Sequence, residues 1–84
     1  MGNKILVIVS VPLLESEYTI FIPANKKIGT VRNNIIDTIS ELSDGGLKET
    51  EKLNLYDSEK NLVYNNDVYV KNSGLTNGSK IILV

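Results

Sequence analysis

The sequence contains no cysteine, no histidine and no tryptophan. Without cysteine it can form no disulfide bond or thiolate metal site, so an apolar core or oligomerisation must hold the fold together. The usual general base, the commonest metal ligand and the best nucleophile are also missing. The serines have no base to activate them. The composition therefore predicts a protein that is not an enzyme and that uses no cofactor or metal.

Long apolar runs and an excess of one charge are missing as well. Nine basic residues stand against ten acidic ones, and the basic residues are scattered along the chain, unlike the clustered positive charge of a nucleic-acid-binding surface. No apolar stretch approaches the roughly 18 residues of a membrane span, and residues 1–9 are too short and too lightly charged for a signal peptide. We therefore expect a cytoplasmic protein that binds no nucleic acid and does not insert into a membrane.

The 84 residues predict one domain, residues 1–84, that opens with a β-hairpin. The runs 4–11 and 18–22 are rich in β-branched and aliphatic residues. Each is followed by a proline, which cannot donate a hydrogen bond to a sheet. Residues 13–17 form the predicted turn between these two strands.

A helix is predicted next, because apolar residues recur every three or four positions. Its start is ambiguous, since Thr30 can act as an N-cap although the apolar stripe already begins before it. Gly45-Gly46 indicates its end, because glycine tolerates the positive φ that a chain leaving a helix often needs. The stripe consists of Ile28, Val31, Ile35, Ile39 and Leu42.

The second half of the sequence indicates short strands joined by polar turns. Residues 52–56 alternate like a half-buried strand, 62–64 are a short strand candidate, and 80–84 are the last strand. The segment 71–74 is an irregular or short helical connection. A single amphipathic helix must bury its stripe against a sheet. This order predicts an α+β fold of the β-grasp type, a four- to five-stranded mixed sheet with one helix on one face and the first and last strands parallel at its centre.

Two stretches of the chain resemble a known family. Leu62-Val-Tyr, a polar turn, and then Ser73-Gly-Leu-Thr-Asn-Gly-Ser-Lys-Ile-Ile-Leu-Val resemble the last third of ubiquitin-like domains. The ending is similar to that of the YukD-like proteins of bacterial type VII (WXG-type) secretion systems. This resemblance implies an accessory protein of such a system, with a secretion ATPase or a membrane component as its partner.

The sequence departs from ubiquitin at its end. Ubiquitin and the similar sulfur carriers work through a flexible Gly-Gly carboxylate, whereas this sequence ends at Val84, a β-branched residue of the predicted last strand. We therefore expect a non-conjugating protein, with Gly45-Gly46 as a helix end. Two alternatives stay open, a carrier activated at its carboxyl terminus and an interaction domain excised from a larger protein.

Three polar motifs are best interpreted as turns. Residues 57–61 resemble the start of a calcium loop but lack its glycine and its closing glutamate. Asn77-Gly78-Ser79 matches the glycosylation sequon, yet Asn-Gly is a strong turn signal. Glu15 and Glu17 could suggest acid–base chemistry, but an exposed hairpin tip provides no desolvation to shift their pKa values.

The predicted sheet has an unusually apolar face away from the helix. Successive strand residues point to opposite faces, and ten of them are assigned to the helix side: Ile5, Val7, Val9, Tyr18, Ile20, Ile22, Leu53, Leu55, Ile81 and Leu83. We predict that the opposite face binds a protein partner, a second copy of the chain or both, unless a one-residue error in strand register exchanges the two sets. Its apolar members are Leu6, Ile8, Phe21, Tyr56, Ile82 and Val84.

Overall fold

The computed structural model describes residues 3–47, 53–60 and 62–84. Their four strands form one mixed sheet in the order β2-β1-β4-β3. The parallel pair β1–β4 lies at the centre, and both outer pairs are antiparallel. This is the predicted α+β architecture, with four strands in the sheet. The elements are β1 (Lys4–Val11), β2 (Ser16–Pro23), α1 (Ile28–Leu42), β3 (Leu55–Asp57) and β4 (Ser79–Leu83).

The core lies between α1 and one face of the sheet. The helix contributes Ile28, Val31, Ile35 and Ile39, all buried. Of the ten strand residues assigned to this side from the sequence, seven are buried. The other three, Ile5, Tyr18 and Ile20, are half-buried against the core. The apolar residues of the helix and of the sheet shield one another from water only with this strand pairing. Formation of the core therefore determines which face of the sheet is left uncovered by the helix.

Several element boundaries differ from the sequence prediction. β2 begins at Ser16, two residues early, so that Glu17 lies in the strand. The third strand covers only Leu55–Asp57, and Lys52, where it was predicted to start, lies outside the described residues. The predicted strand 62–64 supplies a single bridge, Val63 to Tyr56. The first and last residues of a strand are set by backbone pairing. Side-chain periodicity does not reveal that pairing, so the predicted boundaries differ.

The helix begins without a side-chain cap. Lys27 is the N-cap, and the amides of Ile28 and Gly29 donate to the carbonyls of Val68 and Asn66, at 2.8 and 3.0 Å. These tertiary bonds satisfy the first amides, so Thr30 lies inside the helix and is not needed as a cap.

The helix ends near the predicted glycines. Gly45 has a φ of +83° and donates its amide to the Ser40 carbonyl at 2.7 Å, as in a helix-terminating turn. Leu42, predicted to continue the apolar stripe, is instead 64% exposed. The buried stripe therefore stops at Ile39, one turn before the helix does.

Candidate partner-binding surface

The sheet face away from α1, here called the outer face, carries the six residues predicted to bind a partner. Leu6 and Ile8 lie on β1, Phe21 on β2, Tyr56 on β3 and Ile82 on β4. Each alternates with a neighbour that faces the core, such as Val7 on β1 and Ile81 on β4. The sheet therefore brings five residues from four strands onto one surface.

Strand register places these residues next to one another in a diagonal line. Leu6 is opposite Phe21 on β2, and Ile8 follows two positions along β1 on the same face. Ile8 is opposite Lys80, so Ile82 lies diagonally across from it, and Tyr56 is opposite Ile82. Opposite and diagonal neighbours on one sheet face are within contact range. We call Phe21, Leu6, Ile8, Ile82 and Tyr56 the outer strip.

The outer strip is open to solvent to different extents along its length. Phe21, at its end on the edge strand, is 65% exposed. The other four residues are half-buried. None of the five is sealed in the interior, so each can lose further exposed area when another surface covers it. Exposed phenylalanine beside half-buried aliphatic residues is typical of a surface that excludes water on binding.

Polar side chains limit the outer strip to about one side chain in width. Ile8 lies between Thr19 on β2 and Lys80 on β4, and Ser10 is opposite Ile82. Ser10 and Lys80 lie on the two central strands, so polar residues border the strip in the middle of the sheet as well as towards its edge. The surface is therefore a narrow apolar diagonal with polar residues on both sides, a pattern compatible with a specific, partly polar interface.

The structure adds one residue that the sequence prediction missed. Val63 bridges to Tyr56 from outside the named strands and is 52% exposed. Residues that pair directly across strands share a face, so Val63 extends the diagonal beyond β3. In the sequence, Val63 lies within the short strand candidate 62–64, which indicated that it could pair with a sheet. The sequence did not show that its partner is β3.

Val84 follows Ile82 by two positions and shares the outer face by alternation, at the end of the outer strip. It exchanges backbone hydrogen bonds with Asn54, with N–O distances of 2.8 and 3.0 Å, and is 51% exposed. Its position opposite a polar residue makes it a peripheral member of the predicted set.

Two further tyrosines, Tyr64 and Tyr69, lie away from the outer strip. Tyr64 packs partly buried against the core, and its hydroxyl donates to Asp57 Oδ2 at 3.2 Å. Tyr69 is 42% exposed and bridges to Lys27 near the start of α1. The ammonium of Lys71 lies 5.8 Å from the centre of its ring. Neither tyrosine forms part of the surface defined above.

Asp57 organises the turn that resembles a calcium loop. Its Oδ1 accepts the amides of Glu59 and Lys60, at 2.8 and 3.0 Å, and these bonds lower the pKa of the carboxyl. The carboxylate thus accepts hydrogen bonds from backbone amides of its own turn, as in an ordinary Asp-containing turn. In the described part of the chain, no three acidic side chains lie close enough together to hold a metal ion.

The Tyr64–Asp57 contact predicts a pH dependence. Burial, then the negative charge of Asp57, then the hydrogen bond between them raise the pKa of Tyr64 to about 12. As pH rises past the tyrosine value of about 10, the unfolded chain loses the proton first, so the free energy of unfolding should fall until the folded tyrosine also ionises. Phenolate absorbance, compared between the parent and Tyr64→Phe, gives the Tyr64 titration directly.

A second substitution separates the causes of the tyrosine shift. Asp57→Asn removes the charge but leaves the burial, so the Tyr64 midpoint should move back towards the ordinary value without reaching it. An unchanged midpoint would show that the carboxylate does not act on the tyrosine.

The remaining polar motifs also have structural roles. Asn77 Oδ1 accepts the amide of Leu6 at 2.8 Å, and the Gly78 amide donates to the Leu6 carbonyl at 2.8 Å. Gly78 has a φ of +88°, which explains the Asn-Gly pair. This turn fastens the start of β4 to β1. Glu15 lies at the hairpin tip and Glu17 within β2, so they belong to different elements.

The chain was compared with known sequences and with solved structures. In sequence it matches no protein-family model and no curated protein. No helix in the described residues is long and apolar enough to cross a membrane.

Three solved structures show how widely this fold is shared. A chain of the MycP5-free ESX-5 inner membrane complex aligns with 99% of this protein at a TM-score of 0.80 and 12% identity, and this protein spans 21% of that chain's length. The EccD5 ubiquitin-like domain from Mycobacterium xenopi gives a TM-score of 0.79 at 10% identity, with 99% and 94% of the two chains covered. A chain of a toluene 4-monooxygenase complex gives 0.78 at 12% identity, with 96% of each covered.

Identities this low show a shared fold and not a shared activity, as the presence of a monooxygenase component illustrates. The likeness nevertheless extends over almost the whole chain, to a domain that is itself described as ubiquitin-like. Together with one helix packed on a four-stranded sheet of order β2-β1-β4-β3, it establishes that this chain has the ubiquitin-like β-grasp fold.

Proposed function

We propose that this protein is a non-catalytic interaction module that docks a protein partner through the outer strip, and that the partner is the ATPase or a membrane component of a bacterial type VII secretion machine. The observation that carries the docking role is the diagonal of apolar side chains across all four strands, with Phe21 65% exposed at one end. Open sheet faces in antiparallel pairs usually alternate to polar residues.

The outer strip offers apolar side chains whose further burial would favour an interface. Fully burying an aliphatic or aromatic side chain contributes roughly 1.5–3 kcal/mol before the costs of association. Phe21, with most of its surface still exposed, has the largest contribution to gain. Thr19, Ser10 and Lys80 border the strip and can supply the polar contacts that fix a partner's orientation.

The structural likeness supports the choice of partner. Two of the similar structures are an EccD5 ubiquitin-like domain and a chain of an ESX-5 inner membrane complex. This protein spans only 21% of the latter chain, so the activity of that whole assembly is not transferred to it. A domain of this fold within a secretion complex supports the proposal that this chain attaches to one.

A charge introduced on the outer strip tests the docking role. The double variant Phe21→Asp/Ile82→Asp should weaken binding to the purified secretion component at least about a hundredfold, because it removes two apolar side chains and buries two charges. Titration calorimetry against cytosolic domains of the ATPase and the membrane subunits gives the affinity. Far-ultraviolet circular dichroism checks that the fold is retained.

The matched control adds two negative charges elsewhere. Asn34 and Thr38 are exposed on α1, so Asn34→Asp/Thr38→Asp should leave the affinity unchanged. Equal binding by the parent and the outer-strip variant would refute docking through this face. Binding that is lost with the outer strip, but to a protein outside the secretion machine, would refute the choice of partner alone.

The non-conjugating character and the cytoplasmic location stay predictions within this proposal. Leu83 is fully buried, and Val84 is paired with Asn54 in the sheet. Both residues are therefore held by the fold.

A further inference from the structure

The two edges of the sheet are treated differently by the rest of the chain. β3 forms one edge and β2 the other. Beside β3, the Tyr64 amide donates to the Leu55 carbonyl at 2.9 Å and the Asp57 amide donates to the Leu62 carbonyl at 2.8 Å. The segment following β3 therefore covers its edge.

Within the part of the chain that the structure describes, β2 has no comparable cover. Its eight residues, Ser16–Pro23, pair on one side with β1 along their whole length. In an antiparallel pair every second residue turns its N–H and C=O away from the partner strand. Among residues 3–47, 53–60 and 62–84, no backbone hydrogen bond reaches these outward groups of β2. As far as the described residues go, these groups form a row of free donors and acceptors along the edge.

The residues of β2 do not protect this edge. Proteins usually guard exposed edges with lysine, proline, a bulge or a very short strand. Between Glu17 and Pro23 the strand reads Tyr-Thr-Ile-Phe-Ile, with no charge, proline or glycine. Its ladder with β1 is continuous, without a bulge. Such an edge is a template for another extended strand.

We propose that two copies of this chain associate through antiparallel pairing of their β2 strands, so that two four-stranded sheets become one continuous sheet across a two-fold axis. A strand can pair with an identical copy of itself in this way, with the axis at one residue. Placing the axis at Ile20 sets Ile20 opposite its counterpart and Thr19 opposite the second copy's Phe21. All these pairs keep outer-face residues on the outer face, because side chains directly opposite in a ladder share a face.

The charge pattern of β2 favours a second copy as the occupant. Glu17 is the only charged residue in the strand. In the register centred on Ile20 it lies opposite the second copy's Pro23, so no like charges face each other. Proline at that terminal position removes no hydrogen bond from the middle of the new ladder. The strand is thus compatible with itself in both charge and backbone pairing.

The association would also cover exposed apolar surface. Phe21, 65% exposed beside the free edge, becomes a neighbour of the other copy's Thr19 and, diagonally, of its outer strip. The two outer strips then lie on one extended sheet face. This self-association uses the strand edge and is independent of whether the outer strip docks a secretion component.

The experiment uses two double variants that differ only at position 21, in the sign of the charge that is introduced there. In the proposed register Thr19→Lys/Phe21→Lys places lysine opposite lysine at two symmetric positions, whereas Thr19→Lys/Phe21→Glu places lysine opposite glutamate. Both lose the same phenylalanine, so their difference isolates the cross-strand charges. We expect the lysine–glutamate variant to associate about tenfold or more tightly than the lysine–lysine variant.

Sedimentation velocity over a concentration series measures the association, and the parent protein should move from the monomer mass towards twice that mass. Leu62→Lys, which adds a charge at the covered edge beside β3, should behave like the parent. Nuclear magnetic resonance should show β2 amides gaining protection from solvent exchange as concentration rises. A parent that stays at monomer mass at the highest concentration reached would overturn the proposal, as would equal association by the two double variants.

Discussion

Truncation of Ile81 to alanine is expected to lower the free energy of unfolding by about 2–5 kcal/mol. Ile81 is completely buried and lies on β4, opposite Val9 on one side and Asp57 on the other. Since hydrogen-bonded strands flank it on both sides, the surrounding backbone cannot collapse into the cavity. Small domains have total stabilities on the order of 5–15 kcal/mol, so this loss is a large fraction of the whole.

The next residue provides the matched control. Ile82 makes the same kind of strand contacts but is half-buried on the outer face. Ile82→Ala should therefore cost less than about 1.5 kcal/mol, because little cavity forms and less area returns to water. Urea unfolding of both variants, with similar denaturant dependence, gives the comparison. Equal losses would mean that the assignment of the two sheet faces is wrong.

Replacement of Gly29 by valine is expected to destabilise the fold by about 1–3 kcal/mol through overpacking. A Cβ at this position would lie 3.2 Å from Asn66 Cβ and 3.3 Å from the Asn66 carbonyl oxygen. The hydrogen bonds from Ile28 and Gly29 to Val68 and Asn66 hold the two segments at this separation. Valine must therefore lengthen these bonds or displace the turn that replaces the helix cap.

Two further variants identify the cause of that loss. Thr30 is exposed in the same helical turn, and Thr30→Val should change stability by no more than about 0.5 kcal/mol. Asn66→Gly removes the Cβ that valine would meet, so Gly29→Val should be less costly in that background, a coupling that a double-mutant cycle measures. Thermal or urea unfolding suffices, and strict additivity would show that the close contact is not the cause.

Much of the fold was predictable because each element had a side-chain signal of its own. The 3.6-residue period of Ile28, Val31, Ile35 and Ile39 predicted a helix that the structure places at Ile28–Leu42. The continuous apolar run in β1 indicated a strand in the middle of the sheet, and it lies between β2 and β4. These signals are strong because burial imposes a period on the side chains.

The outer strip was predictable residue by residue but not in its shape. Alternation assigned Leu6, Ile8, Phe21 and Ile82 to one face once the helix-facing set was known. Their diagonal order depends on the offset between β1 and β4, which are joined through most of the chain. No local pattern encodes that offset, so the positions of Lys80 and Ser10 beside the strip could not be inferred.

By itself, the sequence determined which residues seek the interior and which side-chain types the chain lacks, because these depend only on side-chain type and spacing. The tertiary structure alone decided that Val63 joins the outer face and that carbonyls of Asn66 and Val68 begin the helix in place of Thr30. It also decided that, within the described residues, β3 is covered while β2 is open. Each of these depends on how the backbone groups of separate segments pair. Backbone donors and acceptors are the same in nearly every residue, so their pairing leaves little trace in the sequence.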